Sequence, residues 1–545
     1  MDIVHDNDNR LELEILDTSL RDGTQGDGKF PSVEDALKMI RKMIAVGIDY
    51  IEIPSGNKNP LLYGIIEAAN EEAFINKIVI FTMTREKEIA PLHNLPIKNV
   101  ALVCKARLHD VTHSLKKVPN IYLKEVHNHI KKFQDNGVKV FLDLEHAVDA
   151  YFGIGAYGKK LKSERDQAEN REYLYKMIST AIAAGVFRLV VCDTTGRANP
   201  EEITEMFKDI TNRFPSATFG FHGHDDRSFA NINSQYACFA GARHIQGTFD
   251  GLGERVGNLN WILFVSDLQL HSQIQLVPGE ELAQFRHMYI EFSQYFDRDP
   301  RENSPFVGQN ATSSRAGIHI STGEKFPGIY VSFQPEAVGN EERRNVDEQS
   351  GTVGIRLGSR DVGTELNPEQ ITRFMACQRN QALLAAKAFA ICKTSLELAC
   401  IKIKDECDHI LTILSYSATI KKKPGGRLSS FCKIKLHING QAKSSVTTAY
   451  GTGIFDAFHK ALLTRLKKKY PELSSLELVD HSVKSLGVLE HKSAAMTRVI
   501  LKFRVGSRIW SVAGVSTSLE EAGLNALIDG IHYCLIMKES NTPTI

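Results

Sequence analysis

The chain of 545 residues is 42% hydrophobic and 24% charged, too long for one core and too apolar for a disordered or fibrous protein. Its 66 Lys and Arg offset 65 Asp and Glu for a formal charge of +1, so no whole-chain field exists to hold nucleic acid or an anionic membrane. No apolar run approaches the length of a membrane span, and the nine Cys include no C-x-x-C pair, which argues against a spanning helix and zinc knuckles and for free buried thiols in a reducing compartment.

In chain order, Met1 to Asp8 is acidic where a signal or transit peptide is basic, so a cytoplasmic protein is expected. Residues 11–250 then alternate short β-branched runs with longer amphipathic stretches. The predicted strands are Leu13 to Asp17, Tyr50 to Pro54, Ile78 to Met83, Val100 to Lys105, Val138 to Glu145, Phe187 to Asp193, Thr218 to His224 and His244 to Phe249. Each is too apolar for a half-exposed sheet, and runs buried on both faces suit a parallel one. Helices such as Val33 to Val46 and Arg171 to Ala184 close at Gly47 and Gly185. Eight such units predict a (β/α)8 barrel over residues 1–265; a doubly wound sheet satisfies the same periodicity.

Residues 266–420 are expected to form a helical connector, with Asn367-Pro368-Glu369 opening an Ala-rich helix through Ala390. Lys421 to Gly426 is charged and rich in breakers, and is read as the linker into a last domain, 428–545; a solvated loop fits the same residues. In that domain alternating strands from Phe431 to Ala449 and from Thr497 to Val512 each lead into a helix. Asp456-Ala457 with Ala461-Leu462 recurs as Glu521-Ala522 with Ala526-Leu527. The repeat predicts a pseudo-symmetric α/β domain, for which a scaffold or dimerisation role is the plain reading.

The chemistry-bearing residues gather at predicted strand ends, where barrels keep their active sites. His222 and His224 lie two apart on one strand and so share a face. Asp22, just past the first strand, can add a carboxylate oxygen from the same mouth. Two nitrogens and a carboxylate leave positions open on a divalent ion, which a 2-oxo acid could fill with its keto and carboxylate oxygens. Glu52 could pair with Arg21, and Glu145 could transfer a proton or orient water, while Asp193-Thr194 ends another strand. Ion pairs closing the barrel top would explain these carboxylates equally well. The glycine-rich loop Gly251 to Asn258 could cradle an anion or simply be a tight connection.

Together Leu16-Asp17-Thr18-Ser19-Leu20-Arg21-Asp22-Gly23-Thr24-Gln25, His222-Gly223-His224, Gln246-Gly247-Thr248 and Gly253-Glu254-Arg255-Val256-Gly257-Asn258 resemble the 2-isopropylmalate, homocitrate and citramalate synthase family. Asp143-Leu144-Glu145-His146, Pro305 to Asn310 and Val338 to Arg344 resemble its citramalate synthase branch. The resemblance implies a Claisen-type condensation of acetyl-CoA with a 2-oxo acid, pyruvate in that branch, followed by thioester hydrolysis. It implies Asp22, His222 and His224 as ligands of a divalent metal (Mg2+, Mn2+ or Zn2+), with Asn258 as a further oxygen donor. Arg21 would face substrate, held by Glu52; Thr194 would donate to the oxo acid carboxylate; Glu145 would serve proton chemistry. His319 and Tyr330 match residues that reach the site from a neighbouring subunit, so a homodimer is implied. The terminal repeat resembles the family's regulatory domain, which binds an end-product amino acid, isoleucine or leucine.

The sequence departs from the family at Asp225-Asp226, which adds negative charge near the metal and could shift metal preference. Ser314 stands where a histidine is common, and Ile53-Pro54 where glycines are common. Asp143 shares a strand face with Glu145 and is a candidate selector of the oxo acid side chain. Two other classes compete. A hydroxymethylglutaryl-CoA-lyase-like enzyme would carry a cysteine in the glycine-rich loop, which has none. A silent amino-acid sensor would be expected to lose metal ligands first, and all three are present.

Overall fold

The computed structural model describes residues 12–26, 30–56, 59–272, 274–314, 317–344, 351–381, 392–404, 410–422, 428–486, 496–506 and 508–539. Met1 to Asp8, Lys423 to Gly426 and the helical stretch predicted up to Ala390 beyond Gln381 lie outside these residues. The chain divides into two compact units, Met1–Thr312 with Phe333–Glu342, and Ser313–Ser332 with Arg343–Ile545.

The first unit is a closed barrel of eight parallel strands in sequential order: β1 (Glu14–Asp17), β2 (Tyr50–Pro54), β3 (Ile78–Met83), β4 (Asn99–Lys105), β5 (Lys139–Glu145), β6 (Arg188–Asp193), β7 (Phe219–Gly223) and β8 (His244–Gly247). Closure is made by β1 against β8, with Glu14 opposite His244 and Asp17 opposite Gly247. The doubly wound alternative is thereby excluded. One face of each strand feeds the core between sheet and helices, as Ile51 and Ile53 do against the Met39, Ile40 and Met43 face of helix Val33–Ala45. Each such side chain contributes roughly 1.5–3 kcal/mol. The other face fills the barrel, where Leu16, Val79, Ala101 and Phe141 pack together.

Local signals set the helix starts. Ser32 caps Val33–Ala45 by accepting from the Asp35 amide, and Asn199 and Glu202 form a reciprocal capping box at Pro200–Arg213. The helix predicted from Arg171 begins at Glu164, because Ser163 caps it and Glu164 and Asp166 suit its first turn.

The second unit contains helices Gly317–Lys325, Thr352–Asp361, Pro368–Gln381 and Lys393–Lys404. It ends in two repeats of three antiparallel strands and a helix: Leu411–Lys422, Leu428–Ile438 and Ser445–Gly451 with Ile454–Leu466, then Glu477–Leu486, Met496–Val505 and Arg508–Ser516 with Leu519–Glu539. This corrects the linker reading of Lys421 to Gly426. Lys421 pairs with Ser429 and Lys422 with Leu428 in one sheet, so these two residues belong to a strand of the repeat domain. Pro-Gly-Gly beside charges has the same composition in either setting. The stretch from Leu411, expected as connector, is the first strand of the repeat. Cys104, Cys192, Cys238, Cys392, Cys400, Cys432 and Cys534 are free and buried. No helix of the described residues is long and apolar enough to cross a membrane.

Candidate active site at the barrel mouth

Alternation along the strands carries polar side chains upward from the apolar interior layer. On β5, Asp143 and Glu145 follow Phe141 on its face; on β2, Glu52 follows Tyr50; on β7, His222 follows Gly220. Glycine is required at 220, where a Cβ would lie 2.8 Å from the His244 ring.

Asp22, His222 and His224 are buried, and their ligand atoms all lie within 4.8 Å of one another. His222 Nε2 stands 3.3 Å from Asp22 Oδ2, and the two imidazoles are 5.0 Å apart between centroids. His224 follows the end of β7 and pairs as a bridge with Asn258. Burial would raise the Asp22 pKa, but the Arg21 charge and the His222 contact override it and hold the carboxyl well below the usual range. Burial, reinforced by His222, pushes His224 down to about 3, so its imidazole is neutral with a lone pair to give. Among the described residues, the Nδ1 atoms of His222 and His224 and Asn258 Oδ1 are buried without a hydrogen bond. Asn258 Nδ2 donates to the Leu252 carbonyl at 2.9 Å. A carboxylate and two imidazoles therefore converge, with an idle amide oxygen on the residue bridged to His224, a donor set that fits a divalent ion.

The glycine-rich loop places Asn258. Gly253 has φ 145° and passes so close that a Cβ would meet Asn258 Nδ2 at 2.2 Å. The same loop carries Arg255, which donates to both carboxylate oxygens of Asp226 at 2.7 and 2.8 Å and to the Thr194 carbonyl at 3.0 Å. Asp225 accepts from the Ala230 amide at the start of helix Ala230–Phe239. Of the two carboxylates expected to add negative charge near the metal, Asp226 is thus paired with Arg255, and Asp225 is engaged at a helix end.

Arg21 is fixed on three sides. Its Nε donates to Glu52 Oε2 at 2.5 Å, its Nη1 lies 3.2 Å from Asp22 Oδ2, and its guanidinium sits 4.0 Å from the Phe81 ring centroid. Burial drives the Glu52 carboxyl up to about 7, against the pull of Arg21 and with the push of Asp143. Glu52 Oε1 has no partner. Asp143, also raised by burial, accepts from Gln246 Nε2 at 3.1 Å. The loop behind Arg21 is anchored by Asp17, which accepts from Ser19 N–H, Ser19 O–H and Trp261 Nε1–H at 3.0, 2.5 and 2.7 Å.

Glu145, at the end of β5, accepts from Lys105 Nζ at 2.5 Å, an ion pair between register neighbours on β4 and β5. Thr194 follows β6, and its Oγ1 accepts from the His146 amide at 2.8 Å. The first unit thus assembles Arg21, Asp22, Glu52, Asp143, Glu145, Thr194, His222, His224 and Asn258 at one end of the barrel. His319 and Tyr330 belong to the second unit, where their exposed rings stack 4.2 Å apart. Ser314 lies in that unit too, on a short strand paired with Arg344. Sequence reasoning missed Lys105 and the His146–Asp149 pair; opposite charges at the ends of adjacent predicted strands were the signal for the first.

Residues 12–286 match the HMGL-like family, and residues 403–535 match the LeuA allosteric (dimerisation) domain. The chain is 29% identical over 540 residues to the (R)-citramalate synthase of Aquifex aeolicus, an alignment covering 96% of this chain and 98% of that protein. It is 28% identical over 538 residues to the (R)-citramalate synthase of Streptomyces coelicolor, covering 96% of each. The 2-isopropylmalate synthase of Pseudoalteromonas atlantica is 25% identical over 530 residues, covering 95% of each chain.

Proposed function

The chain belongs to the HMGL-like family, and from that premise we propose that it condenses acetyl-CoA with a 2-oxo acid to give a 2-alkylmalate and free CoA. Pyruvate is the proposed acceptor and (R)-citramalate the product. The observation that carries the reading is the buried trio Asp22, His222 and His224 beside the Arg21–Glu52 pair, in a chain that aligns with (R)-citramalate synthases over nearly its whole length.

Asp22, His222, His224 and Asn258 would hold the divalent ion, Mg2+, Mn2+ or Zn2+. Bound there, it supplies Lewis-acid polarisation of the oxo acid's keto group. Thr194 donates its hydroxyl proton to the substrate carboxylate, and Asp143 lines the space for the oxo acid side chain. Glu145, held by Lys105, takes part in moving the proton from the acetyl methyl group. Arg21 offers fixed positive charge to the enolate oxygen that results, and Glu52 keeps the guanidinium from turning away. The methyl carbon bonds to the keto carbon, the keto oxygen gains a proton, and water cleaves the thioester to release CoA. His319 and Tyr330 are proposed to contribute from a second copy in a homodimer. The division into a catalytic barrel (1–265), a helical connector and an amino-acid-binding terminal region that includes the strand from Leu411, in a cytoplasmic biosynthetic enzyme, belongs to the same reading.

The test is release of free CoA thiol from acetyl-CoA with Mg2+ or Mn2+ against pyruvate, 2-oxoisovalerate, 2-oxoglutarate and no acceptor. Release strictly dependent on pyruvate is expected. Dependence on 2-oxoisovalerate would replace the acceptor, and release with none of the three would contradict the reaction. Adding isoleucine or leucine to the same assay tests the effector: inhibition by one is expected, and indifference to both contradicts a regulatory role for these two amino acids.

A further inference from the structure

His146, the first residue past β5, holds a left-handed backbone (φ 61°, ψ 26°), a conformation that costs a non-glycine residue about 1–2 kcal/mol. Its ring is anchored where it stands, with Nδ1 2.7 Å from Asp149 Oδ2. Asp149 is buried and in turn faces Arg107 Nη1 at 4.0 Å and Arg197 Nε at 3.5 Å. Arg107 is bound to Asp110 through two nitrogens, and Arg197 to Glu202. The loops after β4, β5 and β6 therefore meet in one polar cluster, and a strained backbone next to a candidate catalytic residue is over-determined by it.

That backbone aims the His146 N–H at Thr194 Oγ1, 2.8 Å away. A hydroxyl that accepts from an amide there must send its own proton elsewhere. Among the described residues Thr194 Oγ1 makes no other hydrogen bond, and Thr194 is half-buried rather than sealed. Arg255 also grips the Thr194 backbone carbonyl and ties it to Asp226, two residues past His224. Thr194 is thus held at its carbonyl by Arg255 and at its hydroxyl oxygen by His146, and the hydroxyl proton has no acceptor among the described residues.

We infer that His146, locked by Asp149, is a positioning residue that fixes the direction of the Thr194 hydroxyl proton toward the carboxylate of the 2-oxo acid. The inference rests on the proposal that Thr194 receives that carboxylate. It predicts that His146 acts on one substrate only, through one atom.

The experiment is a double-variant cycle of Thr194→Val and His146→Gly in the full chain, reading the KM for pyruvate and for acetyl-CoA separately. Glycine accepts the left-handed backbone, so the variant folds while losing the ring anchor. Thr194→Val is expected to raise the pyruvate KM about ten- to hundredfold, the effect of deleting a hydrogen bond to a charged group. His146→Gly is expected to raise it about tenfold, to leave the acetyl-CoA KM unchanged, and to add nothing in the Thr194→Val background. Asp149→Asn should show the same split more weakly. Effects that multiply in the double variant, or both KM values rising together, would overturn the inference and leave His146 a structural residue. An unchanged pyruvate KM in Thr194→Val would reject the carboxylate assignment itself.

Discussion

The two ends of the barrel treat buried charge in opposite ways. At the N-terminal floor, Glu14 takes two hydrogen bonds from Arg188 at 2.8 and 2.9 Å and faces His244 Nδ1 at 3.4 Å. These contacts overcome burial and draw its pKa down to about 2. The Arg188 guanidinium also covers the Phe187 ring at 3.7 Å. At the mouth, Arg21 and His222 hold Asp22 down, but burial wins at Glu52, which rises to about 7 with one oxygen unpaired among the described residues, and His222, His224, Gln246 and Asn258 keep idle polar atoms. The floor pairs Glu14 with Arg188 and puts that charge to use in the fold, leaving only the His244 ring nitrogens without a hydrogen bond there among the described residues. The mouth leaves donors and acceptors open, which costs stability and is explicable only if something else fills them.

That contrast yields predictions of graded size. Asp22→Ala at the mouth should cut turnover on the order of a thousandfold or more, while cooperative thermal melting is retained; wild-type activity would remove Asp22 from the ligand set. Glu145→Gln should lower kcat by about 10²–10⁴, and a smaller loss would reduce its bond with Lys105 to a rim ion pair. Away from the open valences, Trp261→Phe should cost about 2 kcal/mol in denaturant unfolding, because it strips a donor from the buried Asp17 carboxyl. Glu14→Gln should leave kcat unchanged and cost about 1 kcal/mol at pH 7 after solvent screening. The folded pKa of Glu14 lies below its ordinary 4.5, so its stabilisation is full above that pH and is lost as the pH falls toward about 2. Melting curves of the two proteins should therefore converge across that window, and a gap that widens in acid would contradict the pairing.

The barrel was legible because a strand buried on both faces must be apolar throughout, and each predicted strand agrees with the observed one to within two residues at either end. The Asp22, His222 and His224 cluster was legible because strand ends converge in any barrel. Apart from Glu52 on Arg21, partners contributed by distant segments were not legible. Trp261 on Asp17, Phe81 under Arg21 and Arg255 on Asp226 depend on which strand, helix and loop meet in the closed barrel, and no local pattern encodes that. Strands Leu411–Lys422 and Glu477–Leu486 escaped for a different reason. Most of their side chains are exposed, so they carry little of the burial pattern that betrays a strand.

The most direct test of the central claim is equilibrium Mn2+ binding to the full chain, followed by electron paramagnetic resonance, with wild type beside Asp22→Ala and His224→Ala. One ion per chain in wild type and none at the same concentrations in either variant is the predicted result. Equal binding by all three would place the metal elsewhere and leave the open valences of the mouth without their occupant.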